Sequence, residues 1–241
     1  MAKRHRKKPT QGSLTFVGHG GKRRGAGRKC RSARSNHSHR PVELPSREFA
    51  AHITLRVQPG IPSLRQQALF DVVLVALTAS AFGLFFRIVD FSVQQNHLHL
   101  IVEAADAITL TAGMRATAVR IARQVNSFLE RKGPVFADRA FIRLITSPRD
   151  ARNAYVYLFG NGRKHARQIG RVLPANWIDP RSSGPWFGHW ADADPSQRRT
   201  DPKPVAKART WLLTVGWLKY GKPIAVAEMP AMKVTHAKKR S

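Results

Sequence analysis

Two short stretches of this chain carry side chains whose types and spacing suit chemistry at phosphorus. In QQNHLHLIVE (94–103), His97 and His99 flank one leucine. In YVYLFGNGRK (155–164), Tyr157 precedes Asn161 by four positions. On a strand, positions i and i+2 point to one face, so the two imidazoles stand about 7 Å apart and can share a divalent metal. On a helix, positions i and i+4 share a face, and Tyr155 points about 200° away from Tyr157. A tyrosine is a competent nucleophile toward a phosphodiester and leaves a phosphotyrosine. A carboxamide one turn away can complete a metal site begun by two histidines, and the metal then polarises the phosphate. Arg163 and Lys164 follow at once and can hold the strand's phosphates. Taken singly, a His-x-His pair is usually an ordinary surface or core feature, and a helical tyrosine is usually a core aromatic. The combination is what points to chemistry.

These residues need elements to position them. HITLRVQ (52–58) alternates and is β-branched, which predicts a strand. Ser63 and Gln66 form a capping box for a helix over 64–81. LFFRIVDFSV (84–93) and HLHLIVEA (97–104) predict two strands joined by a tight QQN turn. In the second of these, Leu98, Leu100 and Val102 lie under the helices, and His97 and His99 lie on an open face. Leu110, Met114, Ala118, Ile121, Val125 and Phe128 recur at helical spacing, giving a helix over 109–131 that stops near Gly133 and Pro134. FIRLIT (141–146) is a fourth strand. Ser147 then reads as an N-cap, with Pro148 at the first helical position and Asp150 three residues after the cap. The order β-α-β-β-α-β followed by a tyrosine-bearing helix predicts an α+β, ferredoxin-like antiparallel sheet. No other enzyme pattern competes. There is no phosphate-binding glycine loop and no Gly-x-Ser-x-Gly turn. Asp90, Glu103 and Asp138 lack ligand spacing, and Asp90 is expected on a partly exposed strand.

QNHLHLIVE after a strand, a downstream helix with Tyr-x-x-x-Asn, and this element order resemble the HUH single-tyrosine transposases, including the REP-associated tyrosine transposases. The resemblance covers about residues 48–166. It implies that His97, His99 and Asn161 bind Mg²⁺ or Mn²⁺. It also implies that Tyr157 attacks a phosphate of single-stranded DNA, forming a 5′-phosphotyrosine and releasing a 3′-hydroxyl. The partners implied are single-stranded or hairpin DNA and a second copy of the chain in a homodimer. One departure leaves two readings open. Gly160 and Gly162 flank Asn161, and each glycine costs about 1 kcal/mol inside a helix. Either the helix stops at or before Asn161, or it runs on with a soft end that lets it swing.

Charge supports a polyanionic partner. The 241 residues hold 42 Lys and Arg against 14 Asp and Glu, a net charge of +28, which suits nucleic acid. Residues 1–47 read as a flexible basic arm in which Lys22, Arg23, Arg24, Arg28 and Lys29 clamp phosphates. Arg139 adds a cation to the catalytic-type domain over 48–166. Residues 167–241 form a loop-rich, tryptophan-containing basic extension expected to dock on something. A single cysteine excludes an intrachain disulfide framework. No stretch reads as a membrane span or secretory signal, which suits an intracellular protein, and the resemblance implies a bacterial, cytoplasmic and nucleoid-associated one. From a different class, a non-catalytic (domesticated) DNA- or RNA-binding protein on the same fold remains the alternative. The two readings separate on whether binding depends on metal and on His97.

Overall fold

The computed structural model describes residues 44–219 and 221–230. The Lys22–Lys29 cluster therefore lies outside the described residues. Four strands, β1 (Phe49–Arg56), β2 (Phe86–Val93), β3 (His97–Ala104) and β4 (Phe141–Ile145), form one sheet in the order β2-β3-β1-β4. Every pairing is antiparallel. With α1 (Gln67–Ala81) and α2 (Ala107–Phe128) in their places along the chain, this is the ferredoxin-like arrangement that the element order predicts. No helix among the described residues is long and apolar enough to cross a membrane.

Alternation along the strands divides the molecule into two cores. Ile53, Leu55, Leu98, Leu100 and Val102 point to one face, where α1 and α2 cover them with Leu69, Val73, Leu77, Leu110, Ile121 and Val125. The pairing register of β2 shifts between Ile88 and Asp90. Accordingly Ile88 and Phe91, three apart, both enter this first core, as a bulge in one strand requires.

The opposite face is not open. It is covered by α3 (Pro148–Gln168) and by the segment that follows. Ala50, Val89, Ile101 and Ile145 of the sheet meet Ala151, Tyr155, Leu158 and Phe159 of α3. Phe187, Leu213, Trp217 and Ile224 complete this second core. Two acids tie the later segment to the sheet. Glu103 is fully buried, where it accepts from the Arg87 guanidinium and from the backbone N–H groups of Arg209 and Thr210. Asp90, expected to be partly exposed, is buried at 2% exposure and accepts from Ser183 Oγ and Lys203 Nζ. A buried carboxylate needs such donors, and the extension supplies them.

The helix ends differ from expectation for local reasons. α1 begins at Gln67 rather than 64, and Gln66 makes no side-chain cap. Leu64 N–H bonds to the Gln95 carbonyl and Arg65 donates to the Val93 carbonyl, so residues 64–65 brace the β2–β3 turn instead. α2 is capped by Asp106 and Thr109 in a reciprocal box. It ends at Phe128, because Glu130 takes a left-handed φ of 48° and Arg131 N–H reaches back to the Asn126 carbonyl, which closes a Schellman turn before Gly133. The loop-rich extension also holds a π-helical turn at Leu212–Gly216 followed by one helical turn, α4 (Trp217–Lys219).

Candidate active site

Ser147 caps α3 as the sequence predicts, accepting from Asp150 N–H at 3.1 Å, with Pro148 in the first turn. The helix then runs unbroken through Gly160, Asn161 and Gly162 to Gln168. The reading in which the glycines stop it at Asn161 is therefore set aside. Both glycines are needed for close approach. A Cβ on Gly162 would stand 2.5 Å from Asp179 Oδ2, and one on Gly160 would stand 2.8 Å from the Glu228 carbonyl oxygen.

A continuous α3 puts Tyr157, Asn161 and His165 on one face, each a turn apart. That face lies over the histidines of β3. The Tyr157 ring meets His99 edge-on at 5.1 Å between centroids, and the His165 ring meets His97 at 5.6 Å. His97 and His99 are themselves 4.6 Å apart. Asn161 lies between Tyr157 and His165 on the helix and so faces the pair. Tyr155 points the other way, into the second core, among Phe159, Phe187 and Trp217.

The ring orientations of both histidines are held from one side. His97 Nδ1 lies 2.8 Å from Asn96 Oδ1, and His99 Nδ1 lies 3.1 Å from Thr54 Oγ1. When those oxygens accept, Nδ1 carries the proton and Nε2 keeps its lone pair, as a metal-ligating imidazole requires. Burial, reinforced by neighbouring positive charge, lowers His97 to about 4 and His99 to about 2. Both are neutral near pH 7.

Among the described residues, no group of three His, Cys, Asp or Glu side chains could hold a metal. The candidate set is two imidazoles and an amide, and its atoms fit a metal in one respect. His99 Nε2 and Asn161 Nδ2 are buried with no hydrogen-bond partner among the described residues. Asn161 is 1% exposed, and turning its amide over would present an oxygen ligand instead. Orphaned buried polar atoms are rare, and a cation would satisfy these.

The structure adds residues that sequence reasoning did not single out. His52 on β1 stacks on His99 at 5.2 Å and meets Tyr157 at 5.4 Å, and its Nε2 is likewise buried without a hydrogen-bond partner among the described residues. Burial, aided by the Arg143 charge, lowers His52 to about 4. Arg56 pairs opposite His97 and Arg143 opposite His52, placing exposed cations on this face of the sheet. His165 was detectable as the position eight after Tyr157. His52 and Thr54 were not, because their approach depends on the register of β1 against β3.

The remaining expected cations differ in their use. Lys164 Nζ stands 5.9 Å from the Tyr157 ring centre. Arg139 is exposed in the loop before β4. Arg163 is turned away from the site, and its guanidinium donates to the carbonyls of Leu173, Pro174, Ala175 and Trp177. It anchors that loop.

No protein-family model and no curated protein matches the sequence. Seven solved chains resemble the structure. One is a REP-associated tyrosine transposase bound to a REP hairpin, at 16% identity and a TM-score of 0.39, covering 55% of this chain and 87% of the other. Another is a protein of Deinococcus radiodurans R1 assigned as a transposase, at 12% identity and a TM-score of 0.33, covering 52% and 93%. Likenesses at this level leave the functional reading to the site's own geometry.

Proposed function

We propose that this protein is a metal-dependent, transposase-type enzyme that cleaves and rejoins single-stranded DNA through Tyr157. The observation that carries the reading is the seating of Tyr157 edge-on to His99, with Asn161 one turn further along the same helix face. A core aromatic would not leave bare imidazole and amide nitrogens beside it.

His97, His99 and Asn161 would hold Mg²⁺ or Mn²⁺, which when bound neutralises charge developing on the scissile phosphate. The chain's own residues do the rest. Asn96 and Thr54 fix the two imidazoles. α3 holds Tyr157 at the site, and the exposed Arg56 and Arg143 with the half-buried Lys164 attract the DNA backbone. Burial raises the Tyr157 phenol above its usual value, so it is protonated when DNA arrives. In the cleavage step Tyr157 Oη forms a bond to phosphorus and the P–O3′ bond breaks. The phenol loses its proton and O3′ gains one, so protons balance. One phosphoester replaces another, so a 3′-hydroxyl can reverse the step without an added energy source.

The test is a covalent adduct. Pooled hairpin and single-stranded oligonucleotides of randomised sequence are incubated with the full chain and Mn²⁺, then run on a denaturing gel. A DNA–protein adduct is expected, abolished by Tyr157→Phe and by EDTA. An adduct that survives Tyr157→Phe refutes the nucleophile, and a pool that yields no adduct refutes the enzymatic reading. The non-catalytic alternative predicts binding indifferent to metal and to His97→Ala.

A further inference from the structure

Beyond His97 and His165 the site opens into a cleft of about 670 Å³, within the range of roughly 300–1,000 Å³ that houses small ligands. Its walls are Arg65 and Gln67 where α1 begins, the β2–β3 turn, the C-terminal end of α3 and the loop over 171–181. No carboxylate lines it. Of its cations, Arg171 is exposed and its guanidinium has no partner among the described residues.

Most amide heads at the cleft are engaged, as Gln94 is with Ser92 and Gln67 with Asp71, but two keep free hydrogen-bonding atoms. The Gln95 carbonyl accepts from Leu64 N–H at 2.9 Å, which pins the turn, while its amide head has no partner among the described residues. Gln168 Oε1 is engaged with His165 Nδ1 at 3.0 Å, leaving its amino group to donate. Trp177 adds an aromatic wall, steadied by the Arg163 guanidinium 5.9 Å from its ring centre.

An indole, two amides and an unpaired guanidinium are what an unstacked nucleotide needs. A base stacks on the ring, its Watson–Crick edge meets donors and acceptors, and its phosphate meets the cation. The cleft shares His97 with the candidate site, and the ring-to-ring steps from His97 to His99 to Tyr157 are 4.6 and 5.1 Å. We propose that this cleft holds one unpaired nucleotide of single-stranded DNA beside the scissile phosphate, with its base on Trp177, its edge read by Gln95 and Gln168, and its phosphate on Arg171. The inference rests on the strand-cleaving reading and adds to it a protein-built base pocket.

Photocrosslinking tests the cleft without requiring catalysis. Full-length Tyr157→Phe in EDTA is bound to a randomised single-stranded oligonucleotide carrying one 4-thiothymidine, irradiated, and mapped by mass spectrometry. Crosslinks are expected within 94–97 and 165–181. The double variant Gln95→Ala with Arg171→Ala is expected to bind about tenfold more weakly and to lose most of that crosslink, with its melting temperature unchanged. Absent crosslinks, crosslinks confined to other surfaces, or crosslinks indifferent to the double variant overturn the cleft. Failure of the strand-cleaving reading appears separately, as a missing Tyr157 adduct with the wild-type chain and Mn²⁺.

Discussion

Tyr155 and Tyr157 are the same residue type two positions apart, and the helix gives them opposite work. Tyr155 lies in the second core, and among the described residues its hydroxyl reaches only the Leu213 carbonyl, at 3.4 Å. That carbonyl also accepts from Trp217 Nε1 at 3.1 Å, so it stays satisfied if the hydroxyl is removed. Tyr155→Phe should therefore cost less than about 1 kcal/mol in a urea titration and should leave the adduct assay positive. Tyr157→Phe should unfold at the same urea concentration as wild type and form no adduct. His52 sets a pH limit on the fold. Its folded pKa is near 4 because of burial and then Arg143, against 6.5 when unfolded. Above pH 6.5 neither state holds the proton and stability is complete. Between 6.5 and 4 the unfolded chain takes up a proton that the folded chain refuses, so stability falls by about 3 kcal/mol over that window. Metal-free unfolding at pH 7 and at pH 4.5 should show the drop, and His52→Gln should shallow it. An unchanged slope in that variant would remove His52 as a cause.

At the scale of the element, α3 is the part on which the site depends, and its glycines invert the usual substitution rule. Replacing glycine by alanine inside a helix normally stabilises it by about 1 kcal/mol. At Gly162 the new methyl would meet Asp179 Oδ2, and that carboxylate cannot swing aside because Arg65 grips both oxygens at 2.8 Å. Gly162→Ala should destabilise the protein by about 1–3 kcal/mol, as overpacking does, and a gain in stability would show that the 177–179 loop yields. The same helix shows which parts of the structure sequence can reveal. Its cap was legible because Ser147, Pro148 and Asp150 act within four residues, and β3 was legible over its whole length because alternation is local. Tyr157 and Asn161 could be paired for the same reason. The second core was not legible, because Phe187, Leu213, Trp217 and Ile224 follow no period and meet only when the chain folds back. His52 was hidden by register, which no single strand encodes. The burial of Asp90 was hidden too, because its donors arrive from residues 183 and 203.

The whole molecule joins these pieces in a single chain. β1 brings His52 and Thr54, β3 brings His97 and His99, and α3 brings Tyr157, Asn161 and His165, each linked to another by a ring contact, a hydrogen bond or one helical turn. The tyrosine helix is also fastened down along its length. Arg152 forms a two-pronged ion pair with Glu228 at 2.8 Å, Gly160 admits the backbone of residues 228–230, and Gly162 admits Asp179. For α3 to leave its own sheet and serve another copy, the second core would have to come apart, exposing Trp217, Phe187 and Tyr155 to water. Fully burying even one such side chain is worth about 1.5–3 kcal/mol, so exchange is uphill by several of these. The site is therefore expected to work within one chain whether or not copies associate. Mixing inactive Tyr157→Phe with inactive His99→Ala should restore no adduct, because neither chain can lend its intact half. Adduct formation at a fixed DNA excess should rise in direct proportion to wild-type protein concentration. Recovery of activity in the mixture, or a rise with the square of concentration, would mean that α3 exchanges between copies despite the packing that holds it.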